Sequence, residues 1–204
     1  MAFEVATFFK LARGGIMGPT LDQGEVNGCT VILGAFADQP LAYAAYALAT
    51  AWHETAHTMM PVKERGGAAY FFRMYDIEGQ RPHVARRLGN TQPGDGVKFA
   101  GRGYPQTTGR ANYKWASDLT GVDLIGKPDD MMEPDIAATV MFHGMIRGKF
   151  TGKKLADYLP AKGPATSDQF KAARRIINGT DRAADIAAYA VALQDYLSKA
   201  GWGQ

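Results

Sequence analysis

Apolar residues return every three to four positions along most of this chain, the spacing of an amphipathic helix. The pattern predicts helices over residues 3–11, 25–37, 41–59, 68–75, 83–88, 113–119, 134–147, 154–158, 168–177 and 182–200. Pro40 opens the third and Pro61 stops it. Period-two alternation is almost absent, so the fold class is mainly α with at most a short hairpin. Residues 89–110 break the pattern with Gly89, Gly94, Gly96, Gly101, Gly103 and Gly109 beside Pro93 and Pro105. So much punctuation predicts a long irregular segment, and a long ordered loop inside a compact domain is usually functional.

Leu41, Ala45, Leu48 and Trp52 share one face of the third helix, which should meet the core. At 100° per residue Glu54 points about 160° away from Trp52, beside Thr50, Ala47 and Tyr43, and is the only carboxylate between Asp38 and Glu64. An isolated acid on an apolar helix is desolvated, so its pKa should rise toward neutrality. Bonded to a helix end, it would instead be a structural glutamate.

At 204 residues, 46% hydrophobic and 21% charged, the chain suits one domain over 1–204 with a substantial core, and a monomer is expected. A single cysteine, Cys29, excludes an intrachain disulfide framework and, with Val31, Ile32 and Leu33 close behind it, reads as core. Lys10 and Arg13 interrupt the apolar start around Phe8 and Phe9, so no secretory signal is read. The longest apolar stretch, the 12 residues of 41–52, is too short for a bilayer, and a soluble protein made in the cytoplasm is expected. Net charge is +3. Over 147–175, however, Arg147, Lys149, Lys153, Lys154, Lys162, Lys171, Arg174 and Arg175 face only Asp157 and Asp168, a distribution suited to an anionic polymer surface and equally to a solvated helix face. No nucleic-acid-binding module accompanies this charge, so nucleic acid is not expected.

His53-Glu54-Thr55-Ala56-His57 spells H-E-x-x-H, which on a helix would put two zinc ligands on one face with a glutamate to activate water. A catalytic zinc needs a third protein ligand. The glycine and histidine of the extended metzincin pattern are replaced here by Met60 and Lys63, and Gly79 and Pro82 just after Glu78 argue against a helix that would carry it as a ligand. Glycosidic hydrolysis needs instead two carboxyl groups, one protonated and one ionised. Glu64, past the helix break, can face Glu54 across a cleft, and Lys63 and Arg65 beside it favour ionisation. Glu64 could also be an ordinary surface charge.

Ala51-Trp52-His53-Glu54-Thr55-Ala56, Lys63-Glu64-Arg65-Gly66, Gly101-Arg102-Gly103-Tyr104-Pro105-Gln106-Thr107-Thr108, Asn112-Tyr113 and Ile176-Ile177-Asn178-Gly179 occur in the order seen in glycoside hydrolase family 19. The resemblance covers roughly residues 41–196, and the short spacing between the two acids resembles the phage endolysin and bacterial branch. It implies a lysozyme-like, two-lobed helical domain with a central substrate cleft and an inverting mechanism. By the same resemblance Glu54 is the general acid, Glu64 the general base, and Thr108 helps hold the attacking water. Inversion implies carboxyl groups about 6.5 to 9.5 Å apart. His53, Tyr104, Gln106, Asn112, Tyr113 and Asn178 would line the sugar site, amides and hydroxyls bonding the sugar while rings cover it. Asn112 could instead cap the next helix and Asn178-Gly179 end one. Arg102 is expected to brace the loop or the acid.

The long, often cysteine-bearing insert of many family chitinases is missing between Glu54 and Glu64. The expected activity is therefore hydrolysis of the β-1,4 N-acetylmuramic acid/N-acetylglucosamine backbone of peptidoglycan, with no cofactor or metal, after release from the host cytoplasm through a holin or by lysis. The alternatives are chitin hydrolysis by the same residues, a zinc peptidase, and a non-catalytic wall-binding module.

Overall fold

A computed structural model describes residues 3–203. In chain order the helices are α1 (Val5–Arg13), α2 (Gln23–Ala35), α3 (Leu41–Glu54), α4 (Ala68–Tyr75), α5 (Pro82–Arg87), α6 (Asp95–Lys98), α7 (Arg110–Thr120), α8 (Pro134–Arg147), α9 (Ser167–Ala173) and α10 (Ala183–Lys199). The mainly α expectation holds, and among the described residues no helix is long and apolar enough to cross a membrane. The chain divides into two compact units, one formed by residues up to 60 and from 141 onward, the other by 61–140.

In the first unit α10 packs along α3 and against α9. Residues 42–52 of α3 are buried without exception, so the expected contrast between a core face and an opposite face is absent. Six alanines in α3 make this possible, because small side chains let neighbouring elements close on every side of a helix that is apolar all round. Tyr46, fully buried within it, donates its hydroxyl to the Ala173 carbonyl at 2.8 Å and ties α3 to the end of α9. Polar residues fix the start of α2, where Asp22 accepts from the Glu25 N–H at 2.8 Å while Glu25 accepts from the Asp22 N–H at 2.7 Å.

The third helix ends at Glu54, five residues before the predicted end. Thr55 stops it: its hydroxyl donates to the Ala51 carbonyl at 2.7 Å and accepts the Met59 N–H at 3.0 Å. Ala56, His57 and Met59 then adopt φ of 51°, 71° and 53°, left-handed values that no α-helix continues through. This turn presses the Met59 carbonyl onto α2, where a Cβ at Gly28 would lie 1.8 Å from that oxygen. A backbone atom at that distance cannot be avoided by a rotamer change. Gly28→Ala is therefore expected to lower unfolding free energy by about 1–3 kcal/mol, measurable by urea denaturation.

The second unit is built around Phe99, Tyr113, Ala116, Leu124, Met131 and Val140. Its strands are β1 (Val62–Lys63) and β2 (Arg102–Gly103), antiparallel with Val62 opposite Gly103. They pair across some forty residues, so this pair is not a hairpin. The segment 89–110 is largely irregular, as predicted, apart from the single turn of α6 and the two residues of β2. Buried Asp76 holds it by accepting the N–H groups of Gly94 (2.9 Å) and Gly96 (3.0 Å). Elsewhere, 154–158 contains only a 3₁₀ turn, Leu155–Asp157; the predicted 168–177 helix splits into α9 and a 3₁₀ turn, Arg174–Ile176; and Pro128–Met132 is a 3₁₀ helix that periodicity does not reveal.

Candidate active site

The predicted site residues fall into two groups, one in each unit. In the first, Glu54 is the last residue of α3, with its side chain 19% exposed. It is not isolated. Arg174, 120 residues further on and only 3% exposed, donates from Nη1 to Glu54 Oε1 at 2.7 Å and from Nε to the Asp181 carbonyl at 2.9 Å. The argument from a lone acid on an apolar helix therefore fails, because a countercharge sits on one carboxyl oxygen. Oε2 carries no protein hydrogen bond among the described residues.

His53 is half-buried beside Glu54, its ring 6.5 Å from that of Tyr189. Burial holds its pKa below the ordinary imidazole range, the Glu54 carboxylate opposing this and Arg174 adding to it. His57 lies outside the helix, in the left-handed turn, stacked on Trp52 at 4.7 Å with its ring edge-on to Tyr189 at 5.8 Å. The two histidines do not share a helix face, so the premise of the zinc reading is corrected. Asn178 is exposed, and its N–H closes the turn onto the Arg174 carbonyl at 2.9 Å.

In the second unit Glu64 follows β1, and its N–H donates to the Gly101 carbonyl at 2.8 Å. Its carboxylate is held twice: Tyr75 donates its hydroxyl to Oε1 at 2.8 Å, and Gly101 donates its N–H to Oε2 at 3.1 Å. Burial, and then the Glu64 contact, push the Tyr75 phenol well above its ordinary pKa, so it remains a donor throughout the working range. Tyr75→Phe removes one of these donors without changing shape. If Glu64 is the base, kcat/KM should fall about tenfold with the melting temperature nearly constant, because a hydrogen bond to a charged group is worth about 1.5–3 kcal/mol. Wild-type rates in that variant would show that the contact does not orient a reacting group.

Three oxygens converge at Gly101. A Cβ there would lie 2.9 Å from Gln106 Oε1, 3.0 Å from Glu64 Oε2 and 3.1 Å from Thr108 Oγ1, so the missing side chain is what leaves room between them. Gln106 takes a left-handed φ of 56° and is fixed there by Nε2, which donates to the carbonyls of Val62 (2.8 Å) and Gly103 (3.3 Å). Thr108 donates its hydroxyl to the Gln106 carbonyl at 3.0 Å. Its proton is thus engaged, and Oγ1 can only accept from anything else.

Asn112 donates Nδ2 to the Thr108 carbonyl at 2.8 Å from the first turn of α7, steadying the residue behind the site. Tyr104 and Tyr113 are both fully buried, which corrects the expectation that their rings cover sugar. Tyr113 belongs to the core, donating to the Ala100 carbonyl and accepting from Arg102 Nη1, each at 2.9 Å. Arg102 braces the loop, as expected: Nη1 also donates to the carbonyls of Lys98 (3.1 Å) and Ala100 (2.9 Å), and Nε to Asp129 at 2.7 Å. Arg174 and Tyr75 are the two residues that sequence reasoning passed over, the first counted only as surface charge. Two depressions on the first unit, of about 500 and 540 Å³, share Asp38, Gln39, Trp202 and Gly203 and touch neither group.

No protein-family model matches the sequence, and no curated protein matches it. Solved structures do. Chitinase C from Streptomyces griseus HUT6037 is similar with a TM-score of 0.60 at 20% identity, over 96% of this chain and 76% of that one. A chitinase C mutant gives 0.58 at 19% identity over 96% and 92%, and a bacterial family 19 chitinase 0.52 at 19% over 94% of each. The chain therefore has the helical, lysozyme-like fold of the family 19 chitinases, the fold that its ordered motifs imply.

Proposed function

We propose that the protein is a glycoside hydrolase that cleaves β-1,4-linked N-acetylaminosugar chains with inversion, Glu54 protonating the leaving oxygen and Glu64 activating water. The observation that carries this reading is the convergence of Glu64 Oε2, Thr108 Oγ1 and Gln106 Oε1 at Gly101. A water bound there meets only acceptors, since the Thr108 proton is already given to Gln106. It must direct one hydrogen to Glu64 and the other to Thr108 or Gln106, which leaves a lone pair free for the anomeric carbon. Glu64 takes the first proton as the new bond forms. In the other group Arg174 fixes Glu54 by Oε1, leaving Oε2 to carry the proton for the departing oxygen.

Within this class the reading is an endolysin-type activity on the N-acetylmuramic acid/N-acetylglucosamine backbone of peptidoglycan, acting on the wall after release from the cytoplasm. Its motivation is the short spacing between the two acids. A chitin substrate is the second reading, favoured by the names of the structural neighbours. New reducing ends from purified sacculi, exceeding those from chitin oligomers, are expected. Release confined to chitin oligomers would move the substrate to the second reading, and release from neither would remove the hydrolase. Proton NMR of the first product should show the α-anomer. An initial β-anomer would replace inversion by retention.

A further inference from the structure

Charge is unevenly divided along this chain. Residues 147–182 hold nine lysines and arginines and three aspartates, a net +6, while the whole chain is +3, so the remaining residues sum to −3. The fold gathers part of this excess into one place. Thr151 donates its hydroxyl to the carbonyls of Arg175 (2.6 Å) and Ile176 (3.1 Å), which latches the turn after α8 onto the turn that carries Arg174. Arg174 in turn holds Glu54. The latched turn is tight, since a Cβ at Gly148 would lie 3.1–3.2 Å from the backbone of Gly152 and Lys153.

Arg147, Lys153, Lys154 and Arg175 are all exposed on this pair of turns. None of the four forms an ion pair among the described residues. Two of the three aspartates of the segment have partners, Asp157 beside these turns accepting the Lys154 N–H at 2.9 Å and Asp168 pairing with Lys171 at 3.1 Å. Asp181, the third, is exposed, and its carbonyl accepts from Arg174.

We propose that this pair of basic turns is a docking surface for an anionic glycan and favours strands bearing carboxylate or phosphate over neutral ones. The inference rests on the reading of Glu54 as part of a glycan-cleaving site. A polymer of N-acetylglucosamine offers no charge to these side chains. A strand with lactyl and peptide carboxylates, or with attached phosphate polymers, offers charge along its whole length. Exposed cations of this kind act by screened attraction, so their contribution fades as salt rises.

Co-sedimentation with insoluble glycans reads binding apart from hydrolysis. At low ionic strength Lys153→Glu/Lys154→Glu should bind purified sacculi about tenfold more weakly than the parent, the difference closing near about 0.5 M salt, while binding to chitin particles stays within about twofold. Lys10→Glu/Arg13→Glu, exposed on α1, makes the same change in net charge and should leave both affinities alone. An unchanged affinity for sacculi, an equal loss on chitin, or an equal loss in the α1 pair overturns the proposal. Sacculi stripped of phosphate polymers locate the anion: a loss that persists assigns it to carboxylates, one that disappears to phosphate, and either supports the surface. Salt-sensitive, site-dependent binding by a parent that releases no reducing ends would keep the docking surface and remove the hydrolase.

Discussion

Glu54→Gln is expected to lower kcat/KM on a polymeric glycan by about 10²–10⁴-fold, the range for losing a general acid. The substitution is close to isosteric, and an amide oxygen can still accept from Arg174 Nη1, so the contact that fixes residue 54 survives. On the proposed role, what is lost is the proton for the departing sugar oxygen. An aryl glycoside with a stable phenolate leaving group needs little of that proton, and on such a substrate the variant should fall less than about tenfold. An equal loss on both substrates would mean that Glu54 positions the glycan rather than protonates it. Thermal unfolding of the variant, measured in parallel, should differ little from the parent.

The two groups were legible in the sequence to different depths. Helix positions follow from apolar spacing, which reports burial of one residue type against another and so survives without coordinates. The end of α3 does not follow from it. His57 continues the H-E-x-x-H spelling, but the Thr55 hydroxyl intercepts the Ala51 carbonyl and the Met59 N–H, and three residues then turn left-handed. Local side-chain bonds of this kind compete with the helix, and a serine or threonine inside an apolar run signals them only weakly. The isolation of Glu54 was misread for another reason. Its partner lies 120 residues away inside a run of cations, and no local pattern separates the one arginine that is buried from the seven other cations over 147–175. Tyr113 shows the converse error: a tyrosine type suited to sugar is equally suited to a core whose hydroxyl needs one backbone carbonyl.

Gly101→Ala is the sharper test of the second group, because it changes no charge and removes no hydrogen bond. The Gly101 N–H would still reach Glu64 Oε2, and its carbonyl would still accept from the Glu64 N–H. The new methyl would lie 2.9–3.1 Å from three side-chain oxygens, tight enough to displace them by a few tenths of an ångström but without meeting backbone. Contrast Gly28, where the added atom meets a carbonyl at 1.8 Å and the fold itself must give. Folding of Gly101→Ala should therefore stay within about 1 kcal/mol of the parent. Catalysis should not. A methyl in that space would take the place of the reacting water, and a misplacement of about 1 Å costs about 10²-fold, a loss that should fall on kcat with KM little changed. Glu64→Gln should give a loss at least as large, and the double variant should lose little more than Glu64→Gln alone, because both changes strike one water. Additive losses in that cycle would mean that Gly101 and Glu64 act on separate events, and the water site would have to be sought elsewhere.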